Sequence, residues 1–304
     1  MCDPQIITLQ NEALKVCVIP ALGGKISSLL DRKSAHECLF QNPKGIYRQP
    51  ALYDHFSDYD ASGFDDAFPN IDESWSELNG RVVHFPDHGE IWTMPMRAEM
   101  LNQAVLLQGQ GRVLPYRYEK KVSLEGRSMR VTYGIENTGK GELPFLWTMH
   151  CLMQVDADTR LLLPGCPAQA ENVLAGTDLG PVGAILDVQG GPVDLCTMPA
   201  HGPTVMRKYY LAGPVQEGCC GYVFPRHRLR LTISYDPKRL PYLGFWCTMG
   251  GFRGDVNAAL EPSSAYYDSI EIARTRGTLP MVKPGESVTF DILFHLADYD
   301  EGDA

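Results

Sequence analysis

Three segments of the chain carry side chains able to move protons. Pro86-Asp87-His88-Gly89-Glu90-Ile91-Trp92 sets an imidazole between two carboxylates in a turn, Phe145 to Val155 (FLWTMHCLMQV) holds His150 in an apolar run, and Asn257-Ala258-Ala259-Leu260-Glu261-Pro262 places a carboxylate just ahead of a proline. Imidazole has the ordinary pKa closest to neutrality, so a histidine opposite a carboxylate is a natural general acid and base pair. Each segment also has a plainer reading: a core histidine satisfied by a carbonyl, an Asp87 that caps a turn, and a Glu261 fixed in an extended dipeptide before proline. A fourth segment, Ser62-Gly63-Phe64-Asp65-Asp66-Ala67-Phe68-Pro69-Asn70, brackets Asp65 and Asp66 with aromatic rings. Carboxylate acceptors beside stacking rings suit a ligand rich in hydroxyls, with solvated loop acids as the alternative.

These groups need elements to position them, and the dominant period of the chain is two. Read as one strand, Phe145 to Val155 puts Phe145, Trp147, Met149, Cys151 and Met153 on a core face. Leu146, Thr148, His150, Leu152 and Gln154 fall on the other, which suits the floor of a cleft. Leu14-Val18, Met129-Ile135, Leu229-Tyr235 and Val288-Leu296 alternate apolar with polar residues in the same way. Glycine and proline punctuate the whole length, and no segment carries a long helical stripe. The pattern predicts an all-β, antiparallel architecture of large sheets in one domain over 1–304, with long loops over Gln41-Trp75 and Pro164-Gly221 and a frayed end from Asp298 to Ala304.

Composition narrows the function. Among 304 residues 44% are hydrophobic and 21% charged, and no apolar run approaches the roughly 20 residues of a membrane span. The net charge of −10 argues against nucleic acid, which is bound through clustered Lys and Arg, and leaves a neutral or cationic small molecule as ligand. The N-terminus, MCDPQIITLQ, lacks a basic segment followed by an apolar one, so a cytoplasmic location is expected. Nine cysteines, with no CxxC pair and with Cys219 adjacent to Cys220, predict reduced thiols and no zinc site. His88 and Glu90 resemble half a metal site, yet no further ligand cluster stands at suitable spacing, so no metal is expected.

PALGGKISSL near the start, PDHGEIW, the histidine of LWTMHCLM and the glutamate of NAALEP, in this order and spacing, resemble the aldose 1-epimerase (galactose mutarotase-like) family over about Glu12 to Phe294. The resemblance implies a large antiparallel β-supersandwich that interconverts the α and β anomers of a free sugar without a metal or organic cofactor. By motif, the family's first histidine falls on His88, its second on His150 and its glutamate on Glu261. The chemistry agrees, because opening a hemiacetal requires a proton removed from the anomeric hydroxyl and another delivered to the ring oxygen. On this reading Glu261 is the base, His150 the acid, and His88 holds the ring-oxygen side.

Other family positions are not matched. The arginine and asparagine that family members use near the first strands have no counterpart, and Asp65 and Asp66 stand there instead. An acidic sugar-binding residue between the second histidine and the glutamate is likewise unmatched, with Asp178, Asp187 and Asp194 equal candidates. Lys208 and Trp246 complete the candidate substrate contacts. Two other functions share this fold: a non-catalytic carbohydrate-binding protein, and a sugar-phosphate mutarotase, for which Arg48, Arg81 and Arg253 are available but form no cluster in sequence.

Overall fold

A computed structural model describes residues 4–300, and they form two large antiparallel sheets, of twelve and eight strands. The strands predicted from alternation are present as Leu14–Ile19, Ser128–Asn137, Leu229–Tyr235 and Ser287–Asp298. Tyr116–Glu125 and Ser128–Asn137 pair over ten residues each, closed by Gly126 and Arg127 with Gly126 at φ 54°. Alternation buries one face of each strand, and the two buried faces meet. Tyr133 and Phe290 of the eight-stranded sheet pack on Trp147, each with ring centroids 4.8 Å apart. Single buried rings of this size contribute about 2–3 kcal/mol by transfer from water, so the cluster anchors the two layers.

The order of the twelve-stranded sheet positions the chemistry. Phe64–Ala67, Thr148–Cys151, Val256–Ser263, Tyr242–Met249 and Met206–Leu211 are successive neighbours in space although distant in sequence. His150 therefore stands between the strand of Asp65 and that of Glu261.

Four expectations need correction. The strand expected over Phe145 to Val155 is confined to Thr148–Cys151 and Met153–Gln154, because the backbone of Leu152 leaves the ladder to bond Gly63 and Phe40. The stretch Pro164 to Gly221 is only partly loop, since it contains Gln169–Asn172, Ile185–Asp187, Met206–Leu211 and the start of Cys219–Phe224. Similarly, Gln41 to Trp75 includes Phe64–Ala67 and the start of Ser74–Leu78. At the C-terminus Ser287–Asp298 stays paired to its last residue, where Asp298 accepts from Arg127 at 2.7 Å; residues 301–304 lie outside the described residues. The single α-helix among the described residues, Ile270–Thr275, is capped by Ser269, whose hydroxyl accepts from the Ile272 amide at 3.2 Å. No helix among these residues is long and apolar enough to cross a membrane. The eight described cysteines are all free.

Candidate functional site

Strand register decides which side chains meet. Thr148 pairs with Ser263 and Met153 with Ala258, and the register these two pairings share sets His150 against Glu261 on adjacent strands. Directly opposed residues of an antiparallel pair project to the same face with Cβ atoms about 5 Å apart. On that face Trp246 lies opposite Ala259 and Lys208 opposite Trp246. The result is a floor of His150, Glu261, Trp246 and Lys208, rising from four neighbouring strands into one cavity of about 180 Å³. Gly244 faces Glu261 in the ladder, where an added Cβ would meet the Tyr210 ring at 3.0 Å and Glu261 Oε2 at 3.4 Å. The glycine leaves the carboxyl its space.

Loops supply the walls. His88 takes a left-handed backbone at φ 56°, and Gly89 follows at φ 69° with its Cα hard against the Phe68 carbonyl, where a Cβ would come within 2.2 Å. This turn aims the imidazole inward. Asp87 holds it by Oδ1 to His88 Nδ1 at 2.6 Å, while Asp87 Oδ2 accepts from the Phe56 amide at 2.8 Å. Asp87 thus ties two loops together in addition to shaping its own turn. The Phe56 ring stacks on His88 at 4.2 Å and 15°, and both rings present an edge-to-face contact to His150, at 5.1 and 4.9 Å. His88 and His150 are therefore fixed at right angles inside an aromatic collar.

The floor is withdrawn from water, and its protons respond. Burial pushes the Glu261 carboxyl up to about 8; the ammonium of Lys208 pulls it down and the charge of Asp268 adds to the rise. Burial, followed by the nearby His88, Lys25 and Lys208, drives the His150 imidazole well below its ordinary range. At neutral pH the pair therefore carries one proton, on Glu261. Neither group has spent its free atom: His150 Nδ1 and Glu261 Oε2 are buried without a hydrogen-bond partner among the described residues. Such groups are costly unless something occupies the site.

Not every residue singled out in the sequence reaches this cavity. His88, His150, Glu261, Lys208 and Trp246 line it. Thr148, expected on the cleft floor, instead bonds Ser263 Oγ at 2.8 Å under a fully buried backbone, and Gln154 is exposed. Asp65 opposes His150 in the ladder but is held by Lys25 Nζ at 2.5 Å and does not line the cavity. Asp66 points to the opposite face, where Lys120 Nζ at 2.9 Å and the Tyr133 hydroxyl at 2.8 Å engage it between the sheets. Asp178, Asp187 and Asp194 lie elsewhere, with Asp178 paired to Arg207 at 2.5 Å. The acid beside the floor is Asp268, which follows Glu261 in sequence: it binds Lys208 Nζ at 2.6 Å and accepts from the Tyr210 hydroxyl at 2.9 Å. Asp72 also lines the cavity, and burial together with Asp268 raises its carboxyl. No sequence motif marked Asp72 or Asp268; an Asp-Ser pair opening a helix was the only local signal. Glu90 turns away, accepting from the amides of Arg112 and Val113 at 2.6 and 3.0 Å. No group of three or more His, Cys, Asp or Glu among the described residues is arranged to hold a metal.

Comparison with known proteins places the architecture. No family model matches the chain, and no curated protein matches it in sequence. Solved structures do match in shape. A Synechocystis protein shares 16% identity at a TM-score of 0.78, covering 98% of this chain and 97% of its own. A proposed aldose 1-epimerase from Escherichia coli shares 19% at 0.74, covering 97% and 99%, and a galactose mutarotase-like protein from Lactobacillus casei 15% at 0.74, covering 96% and 100%. At these identities the likeness is one of fold, and the fold is that of the galactose mutarotase-like proteins.

Proposed function

We propose that the protein is an aldose 1-epimerase that interconverts the anomers of a free sugar, with His150 and Glu261 as the proton-transfer pair and His88 as an orienting group. The observation that carries this reading is the pair itself: two titratable groups opposed on one cavity floor, each buried and each with a polar atom, His150 Nδ1 and Glu261 Oε2, unpartnered among the described residues. Ring opening requires one site to accept a proton from the anomeric hydroxyl while another donates to the ring oxygen. A pair holding one proton meets that requirement, and after rotation about C1–C2 the roles reverse for closure. Burial leaves the proton on Glu261, so Glu261 acts as base only once sugar binding has shifted it toward His150. His88, its Nδ1 engaged by Asp87, offers Nε2 to the ligand.

Lys208 has its ammonium on Asp268, while Arg48 and Arg253 donate to backbone carbonyls of residues 57–59. This spends the basic groups near the cavity and gives no support to a phosphorylated substrate. The test is proton NMR saturation transfer between anomeric signals over a panel of aldoses, with and without protein from about pH 5 to 9. Acceleration above the spontaneous rate for at least one sugar is expected; binding with no acceleration anywhere in that range would replace the enzyme with a carbohydrate-binding protein.

A further inference from the structure

Three rings on the surface are stacked as flatly as plates. Trp75 and Tyr53 both lie parallel to the imidazole of His84, with centroids 4.1 and 4.6 Å away and planes 4° and 5° apart. His84 fills the middle of the stack, and its Nε2 is held by Glu73 Oε1 at 2.7 Å. Trp75 and His84 are cross-strand partners in the hairpin formed by Ser74–Leu78 and Arg81–Phe85. Trp75 is 64% exposed and Tyr53 48%, so with one face of each ring covered by His84 the other faces water. Two exposed aromatic rings joined into one contiguous stack make a candidate interaction site, where a single exposed ring would not.

Connectivity ties this stack to the cavity from three directions. Tyr53 precedes the cavity-lining Phe56 by three residues, Trp75 follows Asp72 by three, and His84 precedes Asp87 by three. Three residues of chain reach at most about 11 Å. The Cα atom that carries each ring therefore lies within that distance of the Cα of a cavity-lining residue, which sets the stack on the same three segments that wall the cavity.

We propose that the Tyr53–His84–Trp75 stack is a second saccharide subsite, on which a further unit of an oligosaccharide rests its C–H face while its reducing end occupies the cavity. The proposal rests on the sugar reading of the cavity and gives it a substrate class, reducing oligosaccharides. A pyranose has one apolar face and a rim of hydroxyls. The stack matches it with a rigid apolar plate, and the carboxylates of Glu73, beside His84, and Glu77, two residues from Trp75 on the same face of the hairpin, can accept from hydroxyls.

The experiment is calorimetric titration of the full chain with glucose, galactose and their 1,4-linked di- and trisaccharides, repeated with Trp75→Ala and Trp75→Phe, alongside anomer exchange on the same sugars. The longer sugars should bind the unaltered protein more tightly than the monosaccharides. Trp75→Ala should weaken the longer ones about 2- to 10-fold relative to the monosaccharides, as for one lost stacking contact, and Trp75→Phe should restore most of it. Equal affinity for short and long sugars, or equal losses for both, would overturn the subsite. A concentration-dependent dimer that dissolves in Trp75→Ala while sugar affinities stay unchanged would also overturn it and make the stack a self-association face. Length-dependent binding without accelerated exchange would leave the subsite standing and remove the epimerase reading alone.

Discussion

Asp66 and Glu261 are carboxylates of the same sheet, 1% and 2% exposed, and they face opposite layers. Asp66 looks into the core between the sheets. Its oxygens are taken by Lys120, itself fully buried, and by the Tyr133 hydroxyl, and the Lys120 ammonium also rests 4.6 Å above the Phe64 ring. Glu261 looks into the cavity. The nearest ammonium, on Lys208, is already committed to Asp268, and Glu261 Oε2 has no partner among the described residues. Equal burial therefore produces different outcomes: a closed set of partners holds the layers in place, whereas an open set leaves a proton free to move.

The widest separation between the two should appear on substitution. Glu261→Gln and His150→Ala should each lower kcat by about 10²- to 10⁴-fold without lowering the urea midpoint. Asp66→Asn, which leaves Lys120 buried without its counter-charge, should instead cost about 3–5 kcal/mol of unfolding free energy. Native stability in Asp66→Asn, or full activity in Glu261→Gln, would break the contrast.

A second separation is visible in pH. Because the folded Glu261 keeps its proton up to about 8 while the unfolded one loses it near the ordinary carboxylate value of 4.5, the unfolded chain binds fewer protons in between, and stability falls as pH rises across that window. Urea titrations should show wild type losing ground to Glu261→Gln between pH 5 and 9. Activity should fall above about pH 8, when the pair gives up its single proton, and at the acid end below the lowered His150 value, when both groups are protonated.

A smaller effect should follow Lys208→Met. This removes the charge that pulls Glu261 down and leaves Asp268 unopposed, so the alkaline limb of the rate profile should move to higher pH. A limb that stays near 8 would place Lys208 outside the electrostatics of the pair. Smallest of all, Trp246→Ala should raise KM about 2- to 10-fold with kcat nearly unchanged, as for a ring that contacts ground and transition states alike. A fall in kcat alone would give Trp246 a different part.

The sheet strands with one dry and one wet face were legible from the sequence because alternation encodes that asymmetry directly, as in Ser128–Asn137 and Ser287–Asp298. Met206–Leu211 was not. Its run Met-Arg-Lys-Tyr-Tyr-Leu is covered on both faces, with Lys208 under the cavity and Tyr209 in the core, so no alternation survives. Within the site, His88, His150 and Glu261 stood in recognisable motifs. Asp268 did not, because its role depends on Lys208 and Tyr210, which lie about 60 residues earlier and meet it only through the fold. Asp65 and Asp66 misled for a related reason: composition shows that two acids are adjacent but not that a strand sends them to opposite faces.

That adjacency has a consequence for how the chain assembles. Asp65 and Asp66 project to opposite sides of Phe64–Ala67 and each meets its own lysine, Lys25 on one side and Lys120 on the other. A slip of this strand by one residue could turn Ala67 toward Lys120 and leave that buried ammonium without a counter-charge, at a cost of several kcal/mol, whereas Lys25 would keep Asp60 at 3.3 Å. Lys120 therefore penalises the pairing in which Ala67 takes the place of Asp66, and so favours the alignment of the neighbouring strand that carries His150.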